Sequence, residues 1–331
     1  MVTIKDIANK LNLSVSTVSK GLSGASDISD KTRQLILNTA MKMGYVPKQK
    51  RTSEGRTKIC VFIEDMRYER VEQFGYDIIV GFKLEATAKK WDVSIVPMAM
   101  NQKSDYHYDE YMRANHYAAG FLLGLTLHDD FIAQMQKTEI PTVLLDHVVY
   151  NKNVSCVGVD HQQGIYYAVE HLARLGHKNI AMLNVEAPNH ISQEQLTGFQ
   201  LGMKKCGLNV RQELIACGDY KTDCASKFVS HVVREGATAI VCASDLLAHA
   251  VLRELYRAGL RVPKDISVTG FDDLPLAAYT TPSLTTIRQD RLAIGKNVCR
   301  VMEQMMSGNH INRLMLMPEL IVRESTGKPK V

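Results

Sequence analysis

The residues best suited to chemistry near the start of the chain lie in the segment SVSTVSKGL, residues 14–22. If this segment is a helix, Val18 and Leu22 face a core. The outward-facing side chains are then those of Val15, Ser16, Ser19 and Lys20, with Thr17 near the phosphates of a bound duplex. The lysine can donate to guanine O6 or N7, the first of the outward serines can pair with either base type, and the valine can contact a thymine methyl group. The segment therefore indicates a surface that reads base edges.

Three short helices are predicted to position that surface. Thr3 opens a helical pattern of apolar residues that ends at Leu11, and Ser14 is a good N-cap for a second helix. A third helix is predicted from residues 29–30 to Gly44. Two helices joined by a tight turn form a helix-turn-helix, which can place its second helix in the major groove. A plain three-helix bundle with solvated charges is the alternative.

Charge is concentrated at the same end of the chain. The protein has 331 residues and a net charge of +5, but residues 1–58 hold eleven Lys and Arg against four Asp and Glu, a net charge of +7. The rest of the chain therefore carries −2. A basic head of this kind favours a polyanion through phosphate contacts and counterion release.

The runs TIKDIANKLNLSVSTVSKGLSG and DISDKTRQLILNTAMKMGYVP closely resemble the DNA-binding head of the lactose-repressor/galactose-repressor (LacI/GalR) family of bacterial transcription regulators. The resemblance covers residues 3–47. It implies base reading by three residues of the second helix and phosphate contacts by neighbouring groups. The predicted DNA-binding set is Thr3, Ser14, Val15, Ser16, Thr17, Ser19, Lys20 and Lys31. One departure is that the family usually has arginine at the position of Lys20, and lysine lacks the planar fork of arginine.

From residue 58 onward, apolar segments typical of strands alternate with helical segments. Repeated strand-helix-strand order predicts an α/β fold with doubly wound parallel sheets. Because more than eight strands are expected, the sequence predicts two sheets in two lobes with a cleft between them. The expected strands are 58–65, 92–100, 120–125, 141–146, 155–160, 179–185, 213–218, 239–244 and 267–272.

Segments of the body resemble the same family, among them GVDHQQG, HLARLGHKNIA, RVPKDISVTGFDDLPLA, PSLTTIRQD and LIVREST. The resemblance implies a two-lobed, periplasmic-binding-protein-like domain that binds a small-molecule effector and dimerises. The predicted organisation is a helix-turn-helix domain at 1–47, a basic linker at 48–58 and an effector domain at 59–331. The N-lobe is expected at about 59–160 and 290–317, and the C-lobe at about 161–287 and 318–331.

The resemblance also implies an effector site at the strand ends that face the cleft. Asp272 matches the sugar-binding acid of the family, and a carboxylate can accept hydrogen bonds from vicinal hydroxyls. Tyr220 matches an aromatic residue that stacks on the ligand. The other expected effector contacts are Asp146, Ser244, Phe74 and Tyr76.

Gln195 departs from the family, which normally carries an arginine there that clamps the effector. A neutral sugar can be held by an amide, but an anionic ligand would lack its partner. His190 is a possible substitute for the missing arginine.

The linker KQKRTSEGRTK also departs from the family, in which a leucine of a hinge helix wedges into the minor groove. That position falls at Glu54, and a carboxylate is repelled by phosphate. The hypothesis is a linker that is flexible or binds DNA only electrostatically, with reduced operator bending.

Motifs for other classes of protein are not found in the sequence. The seven cysteines lack a CxxC pair, which argues against a zinc site, and no GxSxG, P-loop or GxGxxG occurs. His147 and His161 each follow an aspartate and are interpreted as satisfied polar residues. No apolar run reaches the length of a membrane span, and no signal peptide is recognised, so a cytoplasmic protein is expected. No cofactor is expected either.

The sequence thus predicts a homodimeric regulator, most often a repressor in this family, that binds double-stranded operator DNA and a carbohydrate-like effector. The chain ends in LIVRESTGKPKV without a heptad tail, which favours a dimer over a tetramer. A solute-binding protein for sugar uptake is the alternative, and a sugar-processing enzyme is a third class that lacks a catalytic motif.

Overall fold

The computed structural model describes the greater part of the chain. The described residues are 3–23, 28–29, 32–33, 35–36, 39–40, 43, 56–64, 66–97, 107–124, 129–185, 190–218 and 222–330.

The head begins with two helices, α1 (Ile4–Leu11) and α2 (Val15–Ser23). Thr3 caps α1, because its side chain accepts from the Asp6 amide while the Asp6 carboxylate accepts from the Thr3 amide. The turn between the helices passes through Asn12 in the left-handed conformation, with φ of 53°. The two helices predicted here are therefore confirmed.

Five buried side chains form the core of the head, and they come from all three predicted helical segments. Residues 32–33, 35–36 and 39–40 are helical, which agrees with the third helix where that segment is described. The buried side chains are those of Ile7, Ala8, Val18, Ile36 and Ala40.

The first sheet of the body has six strands in the order β11-β5-β4-β3-β1-β2, and every neighbouring pair is parallel. Its strands are β1 (Lys58–Ile63), β2 (Asp92–Pro97), β3 (Ala119–Leu123), β4 (Thr142–Leu145), β5 (Val154–Val159) and β11 (Arg313–Leu316). Near-continuous burial along β1, β3, β4 and β5 is typical of a parallel sheet that is covered on both faces.

The second sheet has six strands in the order β12-β10-β9-β8-β6-β7. All its pairs are parallel except β10 with β12. Its strands are β6 (Ile180–Val185), β7 (Ile215–Gly218), β8 (Ala239–Cys242), β9 (Ser267–Asp272), β10 (Thr285–Arg288) and β12 (Glu319–Ile321). The predicted two-sheet, doubly wound fold is confirmed, although β10, β11 and β12 were not among the predicted strands.

Helices cover both faces of the two sheets. They are α3 (Phe74–Ala88), α4 (Tyr108–Ala114), α5 (Asp129–Lys137), α6 (His161–Arg174), α7 (His190–Lys205), α8 (Thr222–Arg234), α9 (Asp245–Arg257), α10 (Pro275–Tyr279) and α11 (Arg291–Met306), with a 3-10 turn at Gln212–Leu214. Within the described part of the chain, none of them is both long and apolar enough to cross a membrane.

The chain passes from one sheet to the other three times. It does so between β5 and α6, between β10 and α11, and between β11 and β12. Helix α11 belongs with the first sheet, because Ile294 and Val298 share a core with Ile78 and Phe82 of α3. Helix α6 belongs with the second sheet, because Ile165 and its neighbours pack with β6, β8 and β9. The last two strands thus add one edge to each sheet.

Candidate functional site

The described face of α2 is the candidate nucleic-acid surface. Val18 is buried in the head core, whereas Val15, a large apolar residue, is 49% exposed. Ser16, Ser19 and Lys20 are exposed along the same helix, and Thr17 is half-buried beside them. The helix thus presents the side chains that its sequence assigns to base reading.

The side-chain oxygens of Thr3 and Ser14 each cap the amino terminus of a helix. The Ser14 Oγ accepts from the Thr17 amide at 3.0 Å and lies 2.8 Å from the Ser16 Oγ. The Thr3 hydroxyl donates to the Asp6 carboxylate, which lowers the pKa of Asp6. Both caps hold helix amino termini at the surface, where backbone N–H groups can also meet phosphate. Lys31, the remaining DNA-binding candidate, lies outside the described residues.

Asp146 is the buried carboxylate at the carboxyl end of β4 in the first sheet. Its side chain is only 7% exposed, and its Oδ1 accepts from the Val159 amide at 3.3 Å. The Nε2 atom of His161, at the start of α6, lies 3.3 Å from the same oxygen. The His161 ring stacks on Phe271 of β9, with ring centroids 5.5 Å apart. His161 therefore connects the strand ends of both sheets.

The surroundings of His161 act on its pKa in opposite directions. Burial alone lowers the pKa of the ring, but the carboxylates of Asp146, Glu194 and Asp160 outweigh burial, so the pKa lies above its ordinary value. Asp160 caps α6 through the Gln163 amide instead of pairing with the adjacent histidine. Both ring nitrogens of His161 are buried without a hydrogen-bond partner in the described structure, although Nε2 lies at ion-pair distance from Asp146. The interpretation of His161 as a satisfied polar residue was therefore wrong, whereas His147 does hydrogen bond to the Leu145 carbonyl.

Asp272 ends β9 on the second sheet and follows Phe271, on which the His161 ring stacks. Its Oδ1 accepts from Gln289 Nε2 at 2.8 Å. Burial, followed by the nearby Asp245, raises the pKa of Asp272 well above its usual range. The Gln289 Oε1 atom is itself buried and lacks a partner within the described part of the chain.

Arg291 ties the two sheets together next to Asp272. Its Nη1 donates to the Asp272 carbonyl at 2.8 Å, and its Nη2 pairs with Asp77 of α3 at 3.0 Å. The guanidinium also lies over the Phe74 ring at 5.9 Å. Phe74, one of the expected effector contacts, is thus in contact with an interlobe arginine.

Three predicted residues lie at the carboxyl end of β8 or on the adjoining helix α7. Gln195 is buried and donates to the Ala243 carbonyl at 3.0 Å. Ser244 is buried and caps α9 through the Leu247 amide. His190 lies further out, where it pairs with Glu194 at 2.9 Å and contacts Arg313 of β11. Gln195 and Ser244 therefore lie close together, and His190 lies in a separate charged group.

Tyr76 is half-buried in the first turn of α3. Tyr220 lies outside the described residues, as do Glu54 and most of the linker predicted at 48–58. The roles assigned to these three residues stay predictions.

Asp245 is a buried acid that the sequence did not indicate. Its carboxylate accepts from the Leu274 amide at 2.7 Å and from the Thr286 hydroxyl at 2.6 Å, which fixes the loop that follows Asp272. Burial raises the pKa of Asp245 to about 7. It is a positioning group for the Asp272 loop.

Backbone strain is found at the same strand ends. Asp146, Asp272 and Asp273 have φ of 55°, 113° and 51°, in the region that favours glycine. Strained non-glycine residues cluster at binding sites, where the surrounding structure holds them in place. The strain adds independent support for a site between the sheets.

Sequence reasoning missed His161, Gln289, Arg291 and Asp245 as parts of this site. His161 and Asp245 each lie shortly after the end of a strand. That position is the feature of the sequence from which they could have been predicted as site residues. Within the described residues, the structure shows no group of three or more His, Cys, Asp or Glu that could hold a metal ion.

Comparison with known protein families decides the identity of the two parts. Residues 3–48 match the model described as bacterial regulatory proteins, lacI family. Residues 169–326 match the model described as a periplasmic binding protein-like domain. The chain joins a LacI-family DNA-binding head to a periplasmic-binding-protein-like domain. The resemblance of the head and the body to this family is therefore confirmed.

Curated relatives in the family are transcription regulators that match over nearly the whole chain. The HTH-type transcriptional repressor CytR of Escherichia coli K12 is 29% identical, over 98% of this chain and 96% of that protein. Catabolite control protein A of Priestia megaterium is 27% identical, over 98% of this chain and 99% of that protein. This protein, with its LacI-family head, is accordingly a DNA-binding transcription regulator.

Solved structures of the family share the fold. The transcriptional regulator CelR in complex with cellobiose has a TM-score of 0.72 and 25% identity, covering 98% of this chain and 100% of that chain. The lac repressor dimer, bound to operator and an anti-inducer, has a TM-score of 0.70 and 24% identity, covering 98% and 99%.

Proposed function

We propose that this protein is a homodimeric repressor whose affinity for operator DNA is modulated by a sugar bound between the two sheets. The observation that carries the proposal is the pairing of two sites in one chain. An exposed helix α2 presents Val15, Ser16 and Lys20. Two acids at strand ends of different sheets, Asp146 and Asp272, lie near enough for the charge of Asp146 to act on the pKa of Asp272. Each dimer would place two heads on the half-sites of a pseudo-palindrome.

Sugar as the effector class follows from the polar groups at the site. Carboxylates, amides and a histidine at strand ends can bind vicinal hydroxyls through paired hydrogen bonds. Solved structures of similar fold include one with cellobiose and one with bound ribose. Effector binding would alter the contacts of Asp272, whose carbonyl Arg291 holds, and so couple the ligand to the relative position of the lobes.

The domain boundaries in this proposal are those predicted from the sequence, with the head at 1–47, the linker at 48–58 and the effector domain at 59–331. The N-lobe would comprise 59–160 and 290–317, and the C-lobe 161–287 and 318–331. The regulator would act in the cytoplasm, where it meets DNA, and would not catalyse a reaction.

Selection of genomic fragments by the full-length protein tests the proposal. Recovery of a pseudo-palindromic site, with affinity changed at least severalfold by one sugar, is the expected result. Tight sugar binding without any sequence-specific DNA binding would instead favour a solute-binding protein. Turnover of the sugar would favour an enzyme.

A further inference from the structure

The acids of the interlobe site differ in how their charge is compensated. Asp77 pairs with Arg291, and Asp273 pairs with Arg323 and with Arg288. Neither Asp146 nor Asp272 has a lysine or arginine within ion-pair distance in the described parts of the chain. Asp146 has only His161 beside it, and Asp272 accepts from the neutral amide of Gln289.

Arg291 cannot easily serve an incoming anion. Its Nε and Nη2 both donate to Asp77, and its Nη1 donates to the carbonyls of Asp272 and Asp273. Four of the five N–H groups of a guanidinium are thus directed at protein oxygens. Gln195 meanwhile stands where the family has an arginine, and its Nε2 already donates to the Ala243 carbonyl.

Two buried polar atoms at the site, His161 Nδ1 and Gln289 Oε1, have neither a hydrogen bond nor an ion-pair contact among the described residues. His161 Nε2 makes no hydrogen bond either, but it lies 3.3 Å from the Asp146 carboxylate. The exposed fraction is 3% for His161 and 4% for Gln289. A buried polar atom without a partner costs about 1–3 kcal/mol, so such atoms call for a ligand or a water. Both residues adjoin Asp272, because His161 stacks on Phe271 and Gln289 donates to the Asp272 carboxylate.

A hydroxyl group suits both atoms, because it can donate and accept. Gln289 Oε1 is a carbonyl oxygen and can only accept a hydrogen bond, and the amide nitrogen of the same side chain already donates to Asp272. His161 Nδ1 accepts when the ring is neutral, with its proton on Nε2 toward Asp146, and donates when the ring is charged. An ionised phosphate or carboxylate would meet Gln289 Oε1 without a proton to offer, and it would lie beside Asp146 and Asp272 with no lysine or arginine among the described residues at ion-pair distance from either acid.

We infer that the effector is an uncharged polyhydroxyl compound, that His161 and Gln289 contact it directly, and that the site rejects phosphorylated and acidic sugars. This inference rests on the proposed function and specifies its ligand class. It assigns His161 a role in ligand specificity, through a ring that touches both sheets.

The first test measures binding of matched sugars to the full-length protein by calorimetry. The panel contains glucose, ribose and cellobiose, with glucose 6-phosphate, ribose 5-phosphate and glucuronate as charged counterparts. At least one neutral sugar should bind, roughly a hundredfold or more tighter than its charged counterpart. Equal or tighter binding of a charged counterpart overturns the inference, as does failure of all three neutral sugars to bind.

The second test uses variants with the neutral sugar that binds. His161→Phe keeps a ring to stack on Phe271 but removes both nitrogens, so affinity should fall roughly tenfold to a hundredfold. His231→Phe is the matched control, because His231 lies on α8 and hydrogen bonds to the exposed Glu213 carbonyl, away from the residues of the interlobe site. Unchanged affinity of His161→Phe would mean that a buried water satisfies Nδ1, and would overturn the assigned contact.

A gain-of-function variant separates charge from shape. Gln195→Arg adds a positive charge to the site. It should lower the ratio of the affinity for the neutral sugar to the affinity for its charged counterpart by at least tenfold. Operator binding without sugar is measured for every variant, so that a failure of the repressor proposal can be distinguished from a failure of the proposed effector class. Loss of specific DNA binding in the unsubstituted protein refutes the repressor proposal, whereas the sugar preference is read independently of DNA.

Discussion

The two candidate sites of this protein differ in what their side chains contact. On α2 of the head, Val15, Ser16 and Lys20 are exposed, and the core beneath them depends on other residues such as Val18. Between the sheets, Asp146 and Arg291 hydrogen bond to backbone groups. Asp272 accepts a hydrogen bond from the side chain of Gln289. A substitution at an exposed position of α2 should therefore change recognition alone, whereas a substitution between the sheets should change recognition and stability together.

Loss of Arg291 should have the largest effect on stability. Arg291→Leu leaves Asp77 unpaired and removes donors from two carbonyl groups, so the free energy of unfolding should fall by about 3 kcal/mol. Arg288→Leu is the matched control, because Arg288 is 44% exposed and its partner Asp273 keeps Arg323. Its cost should be under about 1 kcal/mol by urea denaturation. Similar losses for both variants would contradict an interlobe tie at Arg291.

Asp245 should make stability depend on pH. Its pKa is raised from the unfolded value of 3.8 to about 7, so the folded state binds the extra proton between these values. Stability from this group is present at low pH and is lost as pH rises toward 7. Between pH 5 and 8, the unsubstituted protein should lose about 2 kcal/mol more than Asp245→Asn. If the free energy of unfolding falls equally with pH in both proteins, the raised pKa of Asp245 is contradicted.

Lys20 should affect DNA recognition without affecting stability. Lys20→Ala should weaken specific operator binding roughly tenfold, and the ratio of specific to non-specific affinity should fall as well. Lys10→Ala removes the same charge from α1, and it should weaken both kinds of binding alike. Lys20→Arg should retain or tighten specific binding, because arginine offers two parallel donors to guanine. A lower melting temperature for Lys20→Ala would contradict the expectation that an exposed residue of α2 affects recognition but not stability.

Thr3 should have the smallest effect, on the stability of the head. Thr3→Val removes the cap of α1 and its hydrogen bonds with Asp6, at a cost of about 1 kcal/mol. Thr3→Ser keeps the hydroxyl and should restore most of that loss, as measured by helical circular dichroism during thermal unfolding. Equal instability of the two variants would mean that the methyl group, not the cap, matters at this position.

The sequence allowed the fold and the surface of the head to be predicted because local patterns determine both. Alternating apolar segments indicated two parallel sheets, and the spacing of Val18 and Leu22 determined which side of α2 faces outward. The short strands β10, β11 and β12 were missed because polar or charged residues interrupt their apolar runs, unlike those of the equally short β4 and β8. Their pairing also depends on distant chain segments.

The details of the interlobe site could not be predicted in the same way. Arg291 meets Asp77 across 214 positions of sequence, and Asp245 meets Thr286 across 41. The proximity of His161 to Asp146 instead of Asp160 depends on how α6 leaves β5. Such contacts arise only when two sheets are assembled, so neither residue type nor spacing reveals them.

The threefold passage of the chain between the sheets has a consequence for biosynthesis. Strands β11 and β12 and helix α11 all come from the last 41 positions, yet they complete both sheets and the core of the first. On the ribosome, the buried residues of the head are all made before position 58, long before either sheet can be finished. Each new molecule therefore has the residues of a DNA-reading surface before it has a site that could regulate that surface.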